Sequence, residues 1–385
     1  MPKKERTPLG RDRSKSLSEA LSKISSDRDI RIASLNDFDL DVKSVSTGNI
    51  AIDAITGVGG LPKGRIIELY GPPSSGKTTT ALQAAGAAQS SGENILYLDY
   101  EHALDPTYCR ALGIDTSADS FLLAQPDTFE QGMNAMRELI ETGEIGMVIV
   151  DSVAAMVIEK ELSIETGGST FADKAKLMAQ SMRQLTPIVQ KYDVVCVFLN
   201  HLQDVIDASP MGQKLAASGV KRTTTPGGKA LKFHASLRME YKSIGNIRTS
   251  SWNELTNEKE DVPTQTKVQV TVTKNKVAPP FKTCVARVRF GRGFSQAWSA
   301  LDLLVNYGAV KKRTGGVYVF RGDELTPDGS PEWQTRGEEN VVALIEMEPA
   351  WEQRLVTYAQ TLLSQHGPAE AIPADDTEEM EPVSG

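Results

Sequence analysis

Short apolar runs separated by amphipathic stretches fill the chain from about residue 43 to 300. The runs Ile66–Tyr70, Asn94–Asp99, Ser120–Ala124, Met147–Asp151 and Val194–Asn200 have the length and side-chain character of buried strands. Between them, Thr78–Ser91, Pro106–Gly113, Phe129–Thr142 and Asp173–Tyr192 carry helical spacing. Near-continuous apolar strands alternating with helices predict an α/β fold, a mostly parallel sheet with helices on both faces. Later runs near His234–Tyr241, Lys267–Thr273 and Thr283–Arg289 lie closer together and predict antiparallel additions at one edge.

Both ends read differently. Residues 1–16 are basic and Ser-rich; Leu17, Leu21 and Ile24 then mark a short helix, and Ile30-Arg31-Ile32 a brief strand. These two elements have no core of their own and need a surface to dock on. The expected division is a docking segment over 1–42, a core over 43–301, a small α+β domain over 302–366 and an acidic tail over 367–385. Two polar stretches inside the core, Leu162–Ala172 and Gln203–Gly228, resist assignment. The second is too long to be an inert connection, and connections of that length usually carry function.

Composition narrows the choices. No apolar run reaches the roughly 18 residues needed to cross a membrane, and no apolar stretch follows the charged N-terminus as a secretory signal would. Cys109, Cys196 and Cys284 are odd in number and far apart, as expected of reduced thiols in a cytoplasmic protein. The net charge of −8 includes six acids after residue 369, which leaves residues 1–369 at −2. The overall charge is therefore no argument against a nucleic-acid partner.

Gly71-Pro72-Pro73-Ser74-Ser75-Gly76-Lys77-Thr78 matches G-x-x-x-x-G-K-[ST] between a predicted strand and a predicted helix, with Thr79 following. Such a loop turns successive N–H groups toward phosphates, and the helix N-terminus adds partial positive charge. Lys77 is placed to reach the β/γ-phosphates of a nucleoside triphosphate, and Thr78 to coordinate Mg²⁺. Asp151 ends a neighbouring strand and can hold the same ion through water. Glu101, just past the strand ending at Asp99, is the best candidate base. Gly57-x-Gly59 is no dinucleotide fingerprint, since Pro62 stands where a third glycine belongs. His102 and Cys109 make no metal pair.

With these residues in place, the chain resembles the RecA-type DNA recombinases of bacteria and their phages. The segments that carry the likeness are Val45-Ser46-Thr47-Gly48, Gly60-Leu61-Pro62-x-Gly64-Arg65-Ile66, Glu101-His102-Ala103-Leu104-Asp105-Pro106, Gln125-Pro126-Asp127-Thr128, Val150-Asp151-Ser152-Val153-Ala154-Ala155, Ala230-Leu231-Lys232-Phe233 and Lys274-Asn275-Lys276-Val277-Ala278-x-Pro280-Phe281-Lys282. The resemblance implies ATP with Mg²⁺, held between neighbouring subunits of a helical filament on single-stranded DNA that pairs with duplex. It implies that Glu101 activates water, that Asp105 and Tyr108 contact adenine, and that Lys274 and Lys276 reach the γ-phosphate from the next subunit. The two unassigned stretches become DNA-binding loops. Lys176 and Arg183, seven apart on one helix face, would contact phosphate, with Gly227, Gly228 and Lys229 at the end of the second loop. Single-strand-binding or mediator proteins are possible helpers, and a cytoplasmic, nucleoid-associated location follows (the host cytoplasm for a phage protein).

The chain also departs from the family pattern. His201 stands where bacterial members carry a γ-phosphate-sensing Gln, Lys229 where Asn is usual and Pro226 where Thr is. His201 leaves room for a slow-hydrolysing regulatory scaffold as the alternative to a recombinase. A hexameric helicase would explain neither the docking segment nor the lysine pair.

Overall fold

The computed structural model describes residues 41–117, 119–162, 171–204, 223–253 and 258–366. The N-terminal helix and strand, most of both polar stretches and the acidic tail lie outside them. From Lys43 on the chain forms one compact unit.

A short antiparallel pair, β1 (Ser44–Val45) with β2 (Leu61–Pro62), brackets helix α1 (Ile50–Thr56). Asn49 caps α1 by accepting the Ala51 and Ile52 amides, and Gly57 ends it at φ 76°, a left-handed value that suits glycine. The first layered unit runs β3 (Arg65–Gly71), α2 (Lys77–Ser90), β4 (Asn94–Asp99), α3 (Pro106–Ala111) and β5 (Phe121–Ala124). Next come α4 (Phe129–Glu141), β6 (Ile145–Asp151), a single turn α5 (Glu159–Leu162), α6 (Phe171–Lys191) and β7 (Val195–His201). A two-residue pair, β8 (Gln203–Asp204) with β9 (Thr223–Thr224), precedes α7 (Gly228–His234). Then follow β10 (Leu237–Asn253), β11 (Glu258–Asn275), β12 (Thr283–Arg289), β13 (Gly293–Phe294) and α8 (Gln296–Asn306). The chain continues through β14 (Val310–Arg313), β15 (Val317–Arg321), β16 (Glu332–Arg336), α9 (Glu338–Met347) and α10 (Pro349–His366).

Nine strands form one sheet in the order β13-β12-β11-β10-β3-β7-β6-β4-β5. The central strands are buried on both faces, so their apolar runs are continuous. In β6, Met147 and Ile149 pack with α2, while Val148 and Val150 pack with α4 and α6.

The expected antiparallel additions begin one strand later than the sequence suggested. Strand β10 joins β3 in parallel, with Leu237 opposite Ile67; only β11, β12 and β13 are antiparallel. The long connection through α7 supplies the crossover that a parallel neighbour requires. His234 belongs to α7 rather than to the strand, because Gly227 and Gly228 open a helix there. Strands β10 and β11 also continue far past their sheet neighbours. Pairing with β3 stops at Glu240 and pairing with β12 at Gln265, yet the two strands stay paired out to Asn253 and Glu258, with register shifts at Ser243/Gly245 and Ile247/Arg248.

A third core cluster gathers α8, β15, α9 and α10 around Trp351, and Ile50 of α1 contributes to it. The line expected at 301/302 falls within α8.

At the root of α1 the Asp53 carboxyl accepts bonds from Ser46 Oγ (2.6 Å), Thr47 N (2.8 Å) and Thr47 Oγ1 (2.6 Å). Burial outweighs these bonds and pushes it up to about 6 from 3.8. The folded chain then holds a proton that the unfolded chain has released, so this group favours folding at pH 4 and loses that effect as pH rises through 6. Because Asp53 is partly accessible, the shift is an upper bound, at most about 3 kcal/mol. Urea titrations at pH 4 and pH 7 should show the stability difference between wild type and Asp53→Asn shrinking across this window. A constant difference would mean that burial does not dominate.

Candidate active site

The loop Gly71–Lys77 leaves the carboxyl end of β3 and enters α2, the crevice where open parallel sheets bind ligands. Gly71 has no room for a side chain: a Cβ there would meet the Tyr241 carbonyl oxygen at 2.3 Å. Ser74 sits at φ 55° and Gly76 at φ 92°. Gly76 gives α2 no side-chain cap, so the first amides of that helix are left for a ligand. Ser75 Oγ is buried without a partner. An uncapped helix start beside an orphaned hydroxyl fits an oxyanion-rich group such as a phosphate chain.

Lys77 is almost wholly buried and turns back on the loop, donating to the Gly71 (3.2 Å) and Pro72 (2.8 Å) carbonyls. Burial pulls its ammonium down to about 8, against the opposing pull of Asp151 and Glu101. Asp151 ends β6 and its Oδ2 accepts from Thr78 Oγ1 (3.2 Å) and Tyr97 OH (2.7 Å). Burial raises its carboxyl above the ordinary range, with the two hydroxyl bonds working the other way. Among the described residues no set of three acids, histidines or cysteines gathers as a metal cage. A hydroxyl and one carboxylate suit Mg²⁺, which keeps waters and takes its other ligands from phosphate.

Glu101 lies beyond β4 at the same edge. Its Oε1 accepts from Ser152 Oγ (2.5 Å) and pairs with His201 Nε2 (3.0 Å). Burial pushes this carboxyl up, but the Ser152 and His201 bonds, with the charges of His201 and Lys77, bring it below its usual value. Six residues from four strand ends thus meet here: Lys77, Thr78, Glu101, Asp151, Ser152 and His201.

Asp105 caps α3, accepting the Thr107 amide at 2.7 Å, and Tyr108 OH bonds Thr79 Oγ1 at 2.8 Å. Lys274 and Lys276 lie elsewhere. Both donate to carbonyls at the end of α7, Lys274 to Lys232 (2.6 Å) and Phe233 (2.9 Å), Lys276 to Phe233 (3.2 Å). Lys274 pairs across strands with Arg238, which is level with Glu68, three residues before Gly71. The lysine pair is therefore set back from the Lys77 cluster of its own chain.

Lys176 and Arg183 are exposed on α6. Gly227 (φ 87°) and Gly228 (φ 69°) pack against the same helix: a Cβ on Gly227 would lie 3.4 Å from Met178 Cε, and one on Gly228 3.3 Å from Ala175 Cβ. The end of the second loop thus rests on the helix that follows the first, with Lys229 exposed just beyond.

Sequence reasoning missed Tyr97, whose hydroxyl holds Asp151 from 54 residues away. It also missed Glu68, Asn200 and Arg238, which bond to one another beneath the site. An acid in the apolar strand Ile66-Ile67-Glu68-Leu69-Tyr70 was the available signal.

Comparison with known proteins identifies the family. Residues 15–295 match the RecA N-terminal domain. Protein RecA of Heliobacterium modesticaldum is 39% identical over 309 residues, 80% of each chain. Protein RecA of Chloroherpeton thalassium is 42% identical over 286 residues, 74% of each. A crystal structure of the RadB recombinase aligns with 65% of this chain and 98% of its own, at 19% identity and a TM-score of 0.45. With a family match spanning most of its length and relatives at this identity, the chain belongs to the RecA family of DNA recombinases.

Proposed function

We propose that the chain polymerises on single-stranded DNA as a helical filament, hydrolyses ATP in response to that DNA, and promotes homologous pairing and strand exchange. The observation that carries the reading is the meeting of Lys77, Thr78, Asp151, Glu101 and His201 at one sheet edge, next to the roots of both polar stretches.

The loop amides and the start of α2 bind the triphosphate, and Lys77 exchanges its bonds to the loop carbonyls for phosphate oxygens. Thr78 and Asp151 would hold Mg²⁺, which supplies charge neutralisation on the β and γ oxygens. Glu101 takes the proton of the water that displaces ADP from the γ-phosphorus. Asp105 and Tyr108 serve the adenine. Lys274 and Lys276, set back from their own site, serve the γ-phosphate of a neighbouring copy. Lys176, Arg183, Lys229 and the Gly227–Gly228 amides face DNA phosphate, so recognition is independent of sequence. Mediator or single-strand-binding proteins belong to the same reading.

A regulatory scaffold with slow turnover is the second reading. It draws on the Glu101 carboxylate, which is held by both Ser152 and His201 and is a weakened base for that reason. ATP turnover measured with and without single-stranded DNA, beside a strand-exchange reaction, separates the two. Stimulation and exchanged product support the recombinase; the absence of both would overturn it.

Replacing Lys176 with Ala should weaken binding to all single-stranded sequences alike and lower the salt slope by about 0.7. A loss confined to some sequences would remove Lys176 from the phosphate contacts.

A further inference from the structure

Tyr97 is 1% exposed in β4, and its ring stacks on that of Phe121 from the neighbouring strand, centroids 6.1 Å apart. In the sheet register it lies level with Ile149 of β6, two residues before Asp151 and on the same face. The phenol hydroxyl reaches forward along that face and donates to Asp151 Oδ2 at 2.7 Å. A buried tyrosine hydroxyl needs such a partner, and the packing around the ring fixes where the partner must be. Burial and then the charge of Asp151 push the phenol above its ordinary value, so it remains a donor.

This bond makes the two oxygens of Asp151 unequal. Oδ2 accepts from Tyr97 and also from Thr78 Oγ1 at 3.2 Å. Oδ1 takes no hydrogen bond from any of the described residues. Because the Thr78 proton goes to Oδ2, the hydroxyl oxygen keeps its lone pairs for a cation. Asp151 is 8% exposed and is held by neutral hydroxyls, while the nearby Lys77 ammonium bonds the loop carbonyls instead. A buried carboxylate held in this way is short of positive charge. Which cation it accepts depends on how many oxygens it can offer. Mg²⁺ demands octahedral geometry and gives up its waters reluctantly, whereas Ca²⁺ readily takes one or both oxygens of a carboxylate directly. With one oxygen tied down, Asp151 suits the first ion better than the second.

We propose that Tyr97 is a positioning residue for the nucleotide-bound cation: by holding Asp151 Oδ2 it presents Oδ1 alone and sets the preference of the site for Mg²⁺ over Ca²⁺. That the cation arrives with a nucleotide rests on the recombinase reading; the Tyr97–Asp151 bond does not.

The test uses the full chain and a fluorescent ADP analogue, titrated with MgCl₂ or CaCl₂ and, separately, bound in EDTA. In Tyr97→Phe the ring and its packing remain, but Oδ2 is released. The Mg²⁺ concentration that half-saturates analogue binding should rise relative to that of Ca²⁺ by about tenfold, the low end of what partners of metal ligands contribute. Affinity in EDTA should be unchanged, whereas a general loosening of the site would lower it too. In the Asp151→Asn background Tyr97→Phe should add nothing to the ratio, because the tyrosine acts through that carboxylate. If Tyr97→Phe does not fold, 3-fluorotyrosine at position 97 is the second variant. Its more acidic phenol donates more strongly to the carboxylate and should move the ratio toward Mg²⁺. An unchanged ratio, an equal loss for both cations, or a full effect in the Asp151→Asn background overturns the proposal. Each of these leaves the recombinase reading standing where wild type shows DNA-stimulated turnover. A shifted ratio without such turnover in wild type does the reverse.

Discussion

Glu101→Gln lowers ATP turnover by about 10²-fold or more, with nucleotide and single-stranded DNA affinities kept within a few-fold. The substitution preserves length and leaves an amide oxygen that can still accept from Ser152 and His201, so the surroundings need not rearrange. What it removes is the capacity to take a proton. Single-turnover hydrolysis at saturating ATP and DNA reads the step directly. A fall of less than about fivefold would show that another group accepts the proton, because loss of a general base costs more than that. Filaments of this variant should persist on DNA, since nucleotide is bound and consumed slowly.

Trp351→Ala costs about 3–5 kcal/mol of folding stability. Trp351 is 1% exposed, with ring centroids of Trp333 and Phe320 at 5.2 and 5.6 Å. Its Nε1 donates to the Leu325 carbonyl at 2.8 Å, so truncation leaves a cavity and an unpaired acceptor together. Urea unfolding followed by circular dichroism gives the loss. The shape of the curve adds information. Because Ile50 and α8 share this cluster, the transition should shift as a whole instead of splitting in two. A change below about 1 kcal/mol would mean that the cluster collapses around the gap.

The parallel strands were legible because burial on both faces leaves nothing but apolar residues in them. Val148-Ile149-Val150 needs no partner to be recognised. The phosphate loop was legible because its chemistry is local: eight consecutive residues carry the turn, the helix start, the lysine and the hydroxyl. The outer halves of β10 and β11 were not. From Asn246 to Gln265 the chain is rich in Ser, Thr, Asn and acids and shows no steady alternation, since no sheet neighbour there selects one face. The parallel placement of β10 was hidden for a different reason. Close spacing to β11 suggests the antiparallel hairpin that forms, but the other neighbour of β10 is set by the long connection from β7 through α7. The bonded group beneath the site was out of reach because Glu68 meets residues 132 and 170 positions away. Pairing at that range is decided by the packed sheet, not by any local pattern.

The two-stranded ribbon beyond Gln265 has a bearing on how this chain can vary. Its strands pair only with each other, and little of the core depends on it. Lengthening or shortening it by paired residues keeps the inward alternation of Met239, Tyr241, Val268 and Val270 intact at its root. A recombinase lineage can therefore remodel this arm, or an engineer can graft a reporter onto it, without renegotiating the root of β10, where Tyr241 backs the phosphate loop.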